Sequence, residues 1–221
     1  MTVAAKAGLA CLTILILCAA AAPSATAGRT GDRSVVILSP DAGEERLEYA
    51  RDAIGFWNRT LSDMKLRPRL VETEVVIASP VSRTLENYAR QIYQRAGSRS
   101  PVLSEGPAEP YAPQELANLN GDIIVFLSKQ KIMSFAWPIT EQLRFFVAIQ
   151  DGPASPSGNP NVLRNVIAHE IGHTLGLTHN GNSRMLMCGP CEQPSFKSAE
   201  RMFFPLTSMD RLRLVELYPR E

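Results

Sequence analysis

The chain has 221 residues, enough for one domain with a sizeable core. Its 23 Lys plus Arg against 22 Asp plus Glu leave a formal charge of +1, which offers no basic field to recruit nucleic acid. Charged residues at 20% and hydrophobic residues at 45% exclude a disordered chain, and four cysteines exclude a disulfide-dense scaffold. Lys6, the apolar run 7–22 and the small-x-small triplet Ala25-Thr26-Ala27 predict a secretory signal over residues 1–27. The run is shorter than the roughly 20 residues of a spanning helix, so an uncleaved anchor is the weaker reading. Cleavage leaves residues 28–221 as a single domain, secreted to an extracellular or periplasmic space, with no stable membrane association expected.

The mature chain predicts an alternation of strands and helices. Ser34–Leu38 reads as a strand, and Leu47, Ala50, Ile54 and Trp57 recur at helical spacing between Glu44 and Met64. Asn58-Arg59-Thr60, inside that helix, has glycosylation spacing. Leu70–Ala78 is a strand, and Thr84–Ala96 a second helix. Pro101, Pro107, Pro110 and Pro113 then punctuate a break. Asp122–Leu127 is nearly continuous in apolar residues, as in a strand buried on both faces. Ile132–Trp137 and Arg144–Gln150 are further strands, and Asp151–Asn161 is a loop. Beyond that loop the chain is mostly helical.

The three histidines of the chain fall in one stretch, His169-Glu170-Ile171-Gly172-His173-Thr174-Leu175-Gly176-Leu177-Thr178-His179. On a helix, His169 and His173 project from one face and can reach one zinc ion. Glu170, one position round, can reach a metal-associated water without ligating the metal. Gly176 tolerates the positive φ that ends the helix, so that His179 returns as a third ligand. Three nitrogen ligands and an open position characterise catalytic zinc. With this composition the extended pattern arises by chance on the order of once in several hundred thousand such chains.

Cys188-Gly189-Pro190-Cys191 has the spacing of a thioredoxin-type redox pair. The residues before it, Ser183-Arg184-Met185-Leu186-Met187, do not read as the strand such a pair needs. Cys188 and Cys191 are therefore expected to form a small loop disulfide.

The histidine stretch resembles the metzincin zinc metallopeptidases, whose consensus is His-Glu-x-x-His-x-x-Gly-x-x-His followed by a methionine turn. Thr174–His179, with Leu186-Met187 eight residues past the third histidine, is most similar to the matrixin branch. The resemblance implies that Met187, or less favourably Met185, lies in the turn beneath the zinc; either could instead be ordinary core. It implies an α+β, metzincin-like zincin fold. A twisted mixed sheet and helices (about 28–175) would lie over the zinc helix, with a mainly helical or irregular lower lobe (about 176–221). Pro205–Asp210 leading into Leu212, Leu214, Val215 and Tyr218 is similar to the terminal matrixin helix, with Thr207 or Ser208 as cap. Ser134, Phe135, Ala136 and Trp137 look like the edge strand that an extended substrate joins, or an ordinary packed strand.

The chain departs from the family in five respects. No propeptide with an inhibitory cysteine is visible between the signal and the first strand. The insert 81–119 has no counterpart, and Cys188 stands where matrixins carry Tyr. Two mature cysteines cannot supply the second zinc site of archaemetzincins, and no calcium-loop pattern stands out. The expected function is a secreted zinc endopeptidase acting on protein or peptide substrates, with one catalytic zinc and Glu170 as general base. Two alternatives are a metzincin-fold module that binds peptides or surfaces without cutting, which gives no reason for Glu170, and a thiol–disulfide oxidoreductase resting on the cysteines alone.

Overall fold

The computed structural model describes residues 31–97, 110–139, 144–152, 159–189 and 201–221. The predicted signal 1–27 and Cys191 lie outside the described residues. The protein is α+β, built on one five-stranded mixed sheet: β1 (Arg33–Ser39), β2 (Leu70–Ile77), β3 (Ile123–Leu127), β4 (Phe135–Ile139) and β5 (Arg144–Ile149). Their order is β2-β1-β3-β5-β4, with β4 antiparallel to β5 and every other pairing parallel.

The central strands read as unbroken apolar runs because both faces of the sheet are covered. Val35, Ile37, Ile123, Val125, Val147 and Ile149 face one core with helices α1 (Glu45–Asp63) and α4 (Pro160–Thr174). Val36, Leu38, Ile124, Phe126, Phe146 and Ala148 face a second core. That second core is closed by Leu85, Tyr88, Ala89 and Ile92 of α2 (Ser82–Gly97) and Leu116 of the short α3 (Gln114–Ala117). The segment 81–119 thus supplies the cover of this layer.

Helix α1 begins at Glu44, whose carboxylate accepts from the Arg46 N–H. The Arg46 guanidinium is buried, pairs with Glu44 at 2.6 Å and donates to the carbonyls of Ser128 and Gln150, each at 2.7 Å. A charge in that position is tolerated because its donors are occupied, and it fixes α1 to the ends of β3 and β5. The Asn58 carboxamide donates to and accepts from the backbone of Leu70 at 2.8 Å each, so the sequon nitrogen is engaged inside the fold.

Helix α4 starts with Pro160 at its first position and Asn159 as cap, so the last two residues of the predicted loop are helical. It is buried over most of its circumference, Asn161, Asn165, Glu170 and Thr174 included, because it packs against α1, the sheet and the lower lobe. Trp57 of α1 is fully buried and donates through Nε1 to the Ala168 carbonyl at 2.8 Å.

Beyond α4 the described residues of the lower lobe are irregular until α5 (Ser208–Leu217). Thr207 caps α5 in a reciprocal capping box with Asp210. Side chains tie this lobe to α4. Asn165 donates to the Met202 carbonyl at 2.8 Å and accepts from the Phe204 N–H at 2.7 Å. Tyr218 donates to the Leu175 carbonyl at 3.1 Å. Among the described residues no helix is long and apolar enough to cross a membrane.

Candidate active site

The last turn of α4 builds the site. Gly176 has φ +90°, and its N–H donates to the His173 carbonyl while the Leu177 N–H donates to Gly172. This is a Schellman termination, which turns the chain without leaving helix carbonyls unpaired. Leu217 fills the space beside Gly176: a Cβ there would meet its Cδ1 at 2.6 Å. The chain reverses, and His179 returns to the two helical histidines.

The Nε2 atoms of His169, His173 and His179 lie 3.1 Å from one another. Nδ1 of His169 is bonded to the Leu186 carbonyl at 2.7 Å, and Nδ1 of His173 to the Leu177 carbonyl at 2.9 Å. A carbonyl only accepts, so both rings carry their proton on Nδ1 and turn a bare Nε2 lone pair inward. Burial holds His169 below the ordinary imidazole range, helped by the neighbouring His179. Burial and the adjacent His169 push His173 down to about 4, and burial lowers His179. Three converging lone pairs without protons repel one another unless a cation lies between them. Their spacing is close to the roughly 3.3 Å between nitrogens on tetrahedral zinc, so the donor set fits that ion.

Glu170 is buried beside this triad, and burial raises its carboxyl to about 8, opposed by a hydrogen bond from the Ala136 backbone. The edge strand therefore reaches the site through main chain. Strand β4 begins at Phe135 rather than Ile132. Ser134 precedes it and its hydroxyl accepts from the Gln150 N–H at 3.1 Å. Ala136 packs toward α4, whereas Phe135 and Trp137 pack into the opposite core beneath α2. Pro138 does not end the strand because β4 lies at the sheet edge.

Met187 is fully buried, and its Sδ lies 2.6 Å from where a Cβ on Gly172 would stand. It thus packs directly beneath the ligand-bearing turn of α4, while Met185 is half-buried. Cys188 is disulfide-bonded, in a turn bridged to Asn180 rather than between a strand and a helix start. Sequence reasoning missed the Ala136 contact with Glu170 and the Leu177 and Leu186 carbonyls. Main-chain partners leave no mark in residue identity.

The family model described as Met-zincin matches residues 159–187, the segment holding α4, the three histidines and Met187. Archaemetzincin from Methanopyrus kandleri is 12% identical with a TM-score of 0.44, the match covering 89% of this chain and 98% of that one. A zinc-dependent peptidase from Methanocorpusculum labreanum is 15% identical with a TM-score of 0.39, covering 82% and 99%. A chain from a chaperone-substrate complex is 13% identical with a TM-score of 0.44, covering 84% of this chain and 35% of that one. No curated protein matches the chain.

Proposed function

We propose that the protein is an exported zinc-dependent endopeptidase. The observation that carries this reading is the convergence of three Nε2 atoms at 3.1 Å, two of them aimed by backbone carbonyls, beside a buried carboxyl. His169, His173 and His179 would hold the metal. Bound zinc supplies Lewis-acid polarisation of a scissile carbonyl and makes the attacking water more acidic.

Glu170 takes the proton from that water at a carboxylate oxygen and returns it to the leaving nitrogen. Burial raises this carboxyl to about 8 in the metal-free site, and a cation held by the adjacent histidines would favour the ionised form that accepts the proton. The free edge of β4 offers main-chain hydrogen bonds to an extended peptide, with Ala136 next to Glu170 marking the side on which the bond is cut. The Leu186-Met187 placement supports a matrixin-like branch, and the signal at 1–27 supports an extracellular or periplasmic setting.

Cleavage profiling of a diverse peptide library, with and without chelator, tests the reading. Internal cleavage that chelation abolishes and zinc restores is expected. Hydrolysis that survives full chelation, or no hydrolysis by zinc-loaded protein on any peptide, overturns it.

A further inference from the structure

His169 and His173 are each aimed by a carbonyl on Nδ1, but among the described residues no hydrogen bond reaches Nδ1 of His179. His179 is also the exposed member of the triad. Something else must keep its ring from swinging into solvent.

The candidate is backbone. A Cβ built on Gly189 would lie 2.7 Å from both Cγ and Cδ2 of His179 and 2.9 Å from its Nδ1. The imidazole therefore rests on the bare main chain of Gly189, at a distance only glycine permits. That stretch is itself fixed. The Gly189 N–H donates to the Asn180 carbonyl at 3.0 Å, and the Asn180 N–H donates to the Met187 carbonyl at 2.8 Å. Asn180 is further held by its side chain on Asp210 at 3.2 Å, and Cys188 by its disulfide. The residue after His179 and the residues before Gly189 run side by side, so the ring is clamped between fixed points.

Conformation does not explain the glycine. Among the described residues the positive-φ glycines are Gly152 and Gly176, and Gly189 is not one of them. An alanine there would meet the ring first, since the three nearest atoms to its Cβ all belong to His179. Because the ring is the far end of an exposed side chain, the least costly relief is rotation of His179 out of the triad. The fold would survive and the metal geometry would not.

We infer that Gly189 is a positioning residue for the third ligand, holding the His179 imidazole in the metal-binding orientation by backbone contact. The inference rests on the zinc reading and deepens it. It assigns to the chain after Met187 a part in metal retention that the histidine motif does not contain.

The test is zinc affinity of the metal-free full chain, measured by competition with a chromophoric chelator, alongside its melting temperature. Gly189→Ala should weaken zinc binding about 10–100-fold, the usual effect of removing a ligand's orienting partner. The metal-free melting temperature should stay within about 2 °C of wild type. Gly181→Ala, where a Cβ meets nothing within 4 Å, should leave zinc affinity unchanged. In a His179→Ala background, Gly189→Ala should add no further loss, because its effect passes through that ring.

Wild-type affinity in Gly189→Ala overturns the inference. So does an equal added loss in the His179→Ala background, or a collapse of the metal-free fold in both backgrounds, either of which would assign the glycine to the scaffold. If wild type and His179→Ala bind zinc alike, the three-histidine reading fails and the inference with it. If His179→Ala alone is weak and Gly189→Ala is not, only the inference fails.

Discussion

The carbonyl of Leu177 accepts a hydrogen bond from Nδ1 of His173 across 2.9 Å, and it can do so only because the chain has already reversed at Gly176. One turn therefore both ends the helix and aims its second ligand. Gly176→Ala would strain a φ of +90° and drive a methyl group into Leu217. A loss of about 1–3 kcal/mol in urea unfolding is expected from the backbone strain. Weaker zinc binding should accompany it as the Leu177 carbonyl shifts. A variant as stable as wild type would mean that the turn is not under the constraint its geometry imposes.

Glu170→Gln separates chemistry from metal binding. The amide keeps the shape of the carboxyl but cannot take a proton from water, so zinc content should hold while hydrolysis falls by roughly 10²–10⁴-fold. Peptide turnover beside metal analysis of the same sample checks this, and wild-type turnover would remove Glu170 from the mechanism.

The same substitution has a pH signature in metal-free protein. The folded-state carboxyl is raised from 4.5 to about 8, so its contribution to stability is fully present below about pH 4.5 and lost as pH rises through about 8. Glu170→Gln removes that loss. Metal-free Glu170→Gln should be the more stable form at pH 9, with its advantage shrinking as pH falls toward 4.5. Melting curves across this range decide it, and parallel curves would mean that water reaches the carboxyl.

The histidines set the acid limit of zinc binding. Protons compete with zinc only where the free imidazoles accept them, and His173 is held down to about 4, with His169 and His179 also lowered. Measured in the Glu170→Gln background, where the histidines dominate, zinc affinity should begin to fall only below pH 6.5. A decline centred on 6.5 would indicate solvated rings. In metal-free protein the same lowered values mean that stability drops as pH falls from 6.5 toward 4, since the unfolded chain takes up protons first.

Asn165 offers a test of how the lower lobe supports the site. Its carboxamide bonds both Met202 and Phe204, and the adjoining Pro205 carbonyl accepts from the Leu186 N–H at 2.9 Å. Leu186 in turn supplies the carbonyl that orients His169. Asn165→Ala removes the side-chain hydrogen bonds to the Met202 carbonyl and the Phe204 N–H, at a cost of about 1–3 kcal/mol. Hydrogen exchange should rise over 202–206 and at Leu186, with the sheet unchanged. Uniform exchange across the chain would mean that the lobe is held by apolar packing alone.

The features legible in the sequence were those that depend on near neighbours. The spacing of His169, His173, Gly176 and His179 encodes helix, turn and return within eleven residues. Thr207 and Asp210 encode a cap in four. The helix over 84–96 was legible as a pattern, but not its task of closing the second face over Val36, Ile124 and Phe146, which depends on strand order. Strand β4 was misplaced at its start because Ile132 is buried without pairing; the register with β5 begins only at Phe135 opposite Ala148. The meeting of Ala136 with Glu170 and of Gly189 with His179 depends on backbone approach between distant or reversed segments. The first has no signature in residue type, and the glycine of the second marks a close approach without saying what approaches.

The ties from α4 and its following turn to the end of the chain also fix an order of events. Leu175 waits for Tyr218, Gly176 for Leu217, Asn180 for Asp210 and Leu186 for Pro205. During translation the three histidines emerge some tens of residues before any of these partners. A nascent chain can carry the whole motif yet lack the frame that aims it, because long-range contacts close last. Metal capture in working geometry then becomes a late folding event, one that waits for the segment 205–218 to dock.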